Sequence, residues 1–136
     1  MKKAATFVLG VAIAVATGAA MFGGGTEAKS LSITSSKFSG AKANTGMVTY
    51  AKDGAKHTLT LSDDFKTPDT PDPHWMVIDA NGTTYLLDRL MLKGDRLSKT
   101  ITLPAYINNV AKVEIYCAWA EANLGEAAFA TPVSLK

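Results

Sequence analysis

The chain has 136 residues, 47% of them hydrophobic, and a formal net charge of +2, which is one domain's worth of sequence with enough apolar content for a core. The charge includes a basic N-terminus and no basic stripe interleaves with aromatics, so nothing here favours a nucleic-acid partner. One cysteine, Cys117, excludes an internal disulfide framework, and with only His57 and His74 beside it the usual thiolate zinc cluster is excluded too.

Lys2 and Lys3 precede an apolar, uncharged run from Ala4 to Ala20, and small residues follow at Gly18, Ala19 and Ala20 and again at Thr26 and Ala28. This pattern predicts a helical secretory signal removed after Ala20 or Ala28. The alternative is a retained membrane anchor, since the run is close to the ~17-residue minimum for a span. Either way the chain is exported, periplasmic or extracellular, where an odd cysteine stands out.

Residues 29–37 are Ser- and Lys-rich and read as a flexible entry segment in which Leu31 and Ile33 could form a short edge strand; Phe38 then docks on the core. Thr45 to Ala51 alternates weakly, with Met47 and Tyr50 as apolar anchors. Asp53-Gly54 marks a tight turn into His57–Leu61, whose inward set is His57, Leu59 and Leu61. Ser62–Phe65 turns the chain out. Pro68, Pro71 and Pro73 then make a rigid loop that delivers His74 and Trp75 to a nearly all-apolar strand ending at Ile78. Asn81-Gly82 predicts a hairpin to a strand over Thr83–Leu87. Asp88–Gly94 is a turn or a bent strand, Arg96–Leu103 reads as one strand stopped by Pro104, and Tyr106–Val110 is a short helical or turn segment.

The best strand follows. Val113, Ile115, Cys117 and Trp119 fall on one face and Glu114, Tyr116 and Ala118 on the other, the period of a half-buried strand. The cysteine points with the apolar set, and Trp119 is expected to cover its sulfur. Glu121–Gly125 reads as a loop, and Glu126–Ser134 as a last strand broken by Pro132. About eight short strands between turn signals, with no long helix, predict an all-β antiparallel sandwich over residues 38–136.

Each candidate has a structural reading and a functional one. Cys117 is either a small core residue or a redox thiol or soft ligand. His74 is either satisfied by Asp72 or Asp69, or a ligand or base beside the thiol. His57 reads as a satisfied core histidine. Trp75 and Trp119 are core aromatics or a flat wall for a planar cofactor. Asp63, Asp64, Asp69 and Asp72 read as turn acceptors rather than as a calcium loop. No Ser-His-Asp arrangement, phosphate loop or catalytic glutamate pair is present, so no enzyme class is indicated.

The order of Ser39-Gly40, Asp63-Asp64-Phe65, Pro71-Asp72, Ile101-Thr102-Leu103-Pro104 and Val113-Glu114-Ile115-Tyr116-Cys117 leading to Gly125-Glu126-Ala127 resembles the electron-transfer DM-thirteen domain family. The resemblance covers roughly 38–129. It departs from the family at Ala118, where a bulky or basic residue is usual, and at Pro73-His74. It implies an exported β-sandwich with a redox role through its one cysteine, as a free thiol or as ligand to a prosthetic group. The implied partner is a redox or binding protein in the exported compartment, with a membrane contact only where the N-terminal segment is retained. The competing expectation is a ligand- or protein-binding module in which Cys117 only packs.

Overall fold

A computed structural model describes residues 31–136. The expected export signal and its cleavage positions, together with Lys29 and Ser30, lie outside them. The described chain is all-β, with antiparallel sheets and no α-helix. Among the described residues no helix is long and apolar enough to cross a membrane.

Ten strands follow in order: β1 (Leu31–Thr34), β2 (Val48–Asp53), β3 (Lys56–Leu61), β4 (Pro73–Ile78), β5 (Thr84–Arg89), β6 (Met91–Leu92), β7 (Arg96–Leu97), β8 (Thr100–Thr102), β9 (Asn109–Cys117) and β10 (Ala122–Ser134). One four-stranded sheet has the order β1-β2-β3-β8, the other β10-β9-β4-β5, and β6 and β7 form a small hairpin of their own. Inward residues of both four-stranded sheets merge into a single apolar cluster. Val48, Tyr50, Leu59, Leu61 and Ile101 come from the first, and Trp75, Val77, Val113, Ile115, Cys117, Ala127 and Phe129 from the second. The arrangement is sandwich-like.

Local chemistry explains most of the boundaries. Gly54 takes φ 63 in the two-residue turn that sets Asp53 opposite Lys56, a backbone region open to glycine at little cost. In the β4–β5 loop the buried Asp79 carboxylate accepts from the N–H groups of Asn81 and Thr83, both at 2.9 Å, so the aspartate folds its own turn. Pro73 opens β4, a position where its missing N–H is tolerated inside a sheet. Pro132 sits in the irregular stretch of β10 between the Ala128↔Lys112 and Val133↔Val110 pairs, where the ladder is already interrupted.

The short edge strand expected at Leu31 and Ile33 is present as β1, at the edge of the first sheet beside β2. Several other expectations need correction. Met47 is exposed and Val48 is the buried partner of Tyr50, since alternation puts 48 and 50 on one face. Arg96–Leu103 is two strands: Leu97 pairs with Met91, and Ile101 crosses to pair with Leu59. Of the two readings of Tyr106–Val110 the turn holds at Tyr106, with Ile107 N–H donating to the Pro104 carbonyl at 3.2 Å, while Asn109 and Val110 already belong to β9. The last strand begins at Ala122, not Glu126, and the cysteine strand ends at Cys117 rather than Trp119.

Two features of the β10 side are energetically decisive. Gly40 and Gly125 let the 39–43 segment cross β10 at backbone contact. A Cβ on Gly125 would overlap the Ala43 carbonyl oxygen and lie 2.7 Å from the Ala43 Cβ. On the outer face, Glu114 and Glu126 are directly opposed. Burial, and then the Glu126 charge, raise the Glu114 carboxyl above its ordinary value, while Lys112 pulls it back.

Gly125→Ala should therefore cost about 3 kcal/mol, the upper range for overpacking, read as a lower urea midpoint. Glu114→Gln should stabilise by about 0.5 kcal/mol at neutral pH, the scale of an opposed like-charge pair. The raised folded value means that the native state binds the extra proton first. Wild-type stability from this group thus rises as pH falls from the raised value towards the ordinary one, and the advantage of the glutamine should vanish there. Urea titrations of both proteins across the acid range check this.

Candidate functional site

The site is the end of the second sheet where β4 begins and β9 ends. Pro73 and Ala122 both stand opposite Cys117 in register. Because Val113, Ile115 and Cys117 alternate inward, the thiol lies in the apolar cluster and is fully buried and unbridged. Two loops close over it, the proline loop ending at Asp72 and the hairpin loop of residues 118–121. They are joined to each other by Ala118 N–H donating to the Asp72 carbonyl at 3.0 Å.

The hairpin loop turns without glycine or proline. Glu121 supplies the left-handed step, at φ 53, and the turn aims its amides back at the strand end. Ala120 N–H donates to Cys117 Sγ at 3.4 Å. That bond is the main reason the thiol is held below its ordinary range. Burial works against it, and the N–H groups of Asp72 and Trp119 and the Thr70 hydroxyl add to the lowering. Thr70 Oγ1 is buried beside the site and makes no hydrogen bond among the described residues. The surroundings therefore favour the thiolate through neutral donors.

The outer side of Asp72 anchors this closure. Its Oδ1 lies 3.2 Å from His74 Nε2 and 3.0 Å from Arg89 Nε. The angles fall outside directional hydrogen bonding, so these are close approaches rather than oriented bonds, with Arg89 as the fixed positive charge. His74 Nδ1 is 2.9 Å from the Leu87 carbonyl. A carbonyl only accepts, so Nδ1 carries a hydrogen there.

The structure brings some of the expected residues together and separates others. His74 stands opposite Tyr116 while Pro73 stands opposite Cys117, so the pleat places the imidazole and the thiol on opposite faces of one sheet. His74 bonds the Leu87 carbonyl and only lies beside Asp72 Oδ1, and among the described residues no base touches the sulfur. Trp75 is buried, with Nε1–H donating to the Ser98 carbonyl at 2.9 Å; it is a core aromatic. Trp119 does not cover the sulfur: its indole is 76% exposed, because the strand stops at Cys117 and alternation stops with it. Only its amide faces the thiol. His57 accepts or donates at Nδ1 with the Tyr50 hydroxyl at 2.7 Å, with the two rings stacked, as a satisfied histidine should be.

Comparison with family models, with curated proteins and with solved structures finds no match to this chain. The site is therefore read from its own geometry. Among the described residues no group of three or more His, Cys, Asp or Glu side chains could hold a metal ion.

Thr70 and Asp72 are the residues that pattern reading missed as parts of the thiol site. Only the density of prolines around them signals a loop held in one shape. Thr70→Val keeps shape and removes the O–H. Losing that hydroxyl should move the Cys117 thiol up towards its ordinary value and lower the thiolate population at a fixed pH. The 13C shift of Cys117 Cβ followed against pH in both proteins reads this directly; unchanged midpoints would remove Thr70 from the site.

Proposed function

We propose that this chain is an exported, non-enzymatic redox module centred on Cys117, built as a β-sandwich behind an N-terminal signal helix removed after Ala20 or Ala28. The observation that carries the reading is a buried sulfur that accepts from the Ala120 amide and is held below its ordinary range. A thiol that only filled space would need no such donor, because cysteine packs as a small hydrophobe. A thiolate-favouring shell without a neighbouring cation suits a group that changes redox state or ligates a soft centre. The likeness to the DM-thirteen family supports the same assignment, with the thiol free or ligating a prosthetic group and a redox protein as partner.

With one cysteine, no internal disulfide can form, so oxidation must involve a second molecule. In the simplest step the Cys117 thiolate attacks one sulfur of an external disulfide. A mixed disulfide forms at Cys117, the original S–S bond breaks, and the other half leaves as a thiolate.

One specific observation favours a second reading. Cys117 is fully buried, which fits a binding module in which the residue packs and the proline loop presents the recognition surface.

The two readings separate on one experiment. Native chain mixed with an aromatic disulfide should release one thiolate per protein below the unfolding transition, and should continue at mildly acidic pH where free cysteine has slowed. An absorption spectrum of protein taken from its own compartment reports any ligated chromophore. A colourless protein, silent towards the disulfide until it unfolds, would leave Cys117 as packing. Cys117→Ser should then change stability alone, by about 1–2 kcal/mol.

A further inference from the structure

At the opposite end of the β9–β10 hairpin from Cys117, the chain forms a second concave feature. It is a cleft of about 270 Å³ between the β2–β3 turn, the segment after β8 and the end of β10. Its floor is apolar, with Leu103, Pro104, Ile107 and Leu135, and its mouth carries Lys56, His57 and Lys136. No acidic side chain lines it. We propose that this cleft binds a small organic anion, a monocarboxylate carrying a compact apolar body such as an aromatic or branched-chain acid.

The polar groups are set up as donors. Tyr50 is buried, and its hydroxyl has the single described partner His57 Nδ1, at 2.7 Å. Burial also pushes the phenol up, so it keeps its proton through the neutral range. A buried O–H with one neighbour must donate to it. Nδ1 is then the acceptor, and the neutral imidazole carries its hydrogen on Nε2. Neutral His57 thus offers a donor at Nε2 and no acceptor beyond the tyrosine. Lys136 Nζ donates to the Ala105 carbonyl at 2.9 Å. That bond fixes the ammonium at the cleft wall with its remaining hydrogens free for a ligand. Two ammonium groups and an N–H around an apolar floor complement a carboxylate with a hydrocarbon body. The volume lies just under the usual range for drug-sized ligands, ~300–1,000 Å³, and admits one ring or a short branched chain. The site shares no residue with the thiol end, so it stands or falls separately from the redox reading.

The test is a titration of the full chain with sodium benzoate, benzamide and sodium acetate. It is followed by NMR on the His57 ring and on the Leu103, Ile107 and Leu135 methyls. Benzoate should give saturable shifts confined to these residues, at least several-fold tighter than benzamide, which lacks the charge, and than acetate, which lacks the apolar body. Lys56→Met and Lys136→Met, both surface changes, should each weaken benzoate roughly threefold, the scale of a solvent-exposed ion pair. Cys117→Ser should leave the affinity unchanged. Absent or non-saturating shifts with benzoate would overturn the proposal, as would equal affinity for benzamide, equal affinity for acetate, or lysine variants that bind as wild type does.

Discussion

The hydrogen bond from Ala118 N–H to the Asp72 carbonyl holds the thiol end together. It joins two loops that are far apart in sequence, and each alone would leave Cys117 at an open sheet end. Everything else at that end follows from it. The proline loop is brought onto the hairpin, the Ala120 amide is aimed at the sulfur, and the Thr70 hydroxyl is buried beside it. Such a bond is worth only about 1 kcal/mol in isolation. Its leverage comes from the loops being stiff before it forms. Three prolines limit one of them, and the Asp72 carboxylate is clamped from outside by His74 and Arg89.

That construction resolves an electrostatic conflict. Burying a thiol among Ile115, Val113 and Trp75 disfavours its charged form. The Ala120 N–H at the sulfur opposes this, and the net direction is downward. The donor is a neutral backbone group, so no cation needs to be buried. Backbone donors held by loop geometry also cost no reorganisation when charge appears. Where the folded value lies below the unfolded one, the thiolate adds stability at pH above the unfolded value. That contribution is lost as pH falls through the folded one. The price of the arrangement is access, since the sulfur is fully buried beneath the two loops.

Much of this was legible in the amino-acid order, and what was not has physical causes. The inward placement of Cys117 is a local property of period-two alternation, and it holds over Val113–Cys117. The Asp53-Gly54 turn, the apolar β4 and the proline loop were legible for the same reason, each being written in adjacent residues. Trp119 was misplaced because alternation was extended beyond the strand. Ala118-Trp119-Ala120-Glu121 contains none of the usual turn residues, and the positive φ falls on a glutamate. Arg96–Leu103 alternates perfectly yet divides, because its halves find different partners, Met91 and Leu59. Thr70 and Asp72 act on the thiol through a sheet register joining residues 73 and 117, and no local pattern encodes a pairing at that separation. The anion cleft depends on the same kind of long-range meeting, between the β2–β3 turn and the end of β10.

The account is tested most directly by the protonation of one sulfur in two states of the same chain. The ultraviolet thiolate absorbance of Cys117, taken as the difference from Cys117→Ser, should be titrated in native buffer and again in concentrated denaturant. Donors that outweigh burial require the folded midpoint to lie below the unfolded one. A folded midpoint equal to or above the unfolded one would contradict the account, and would mean that the loops merely bury the thiol.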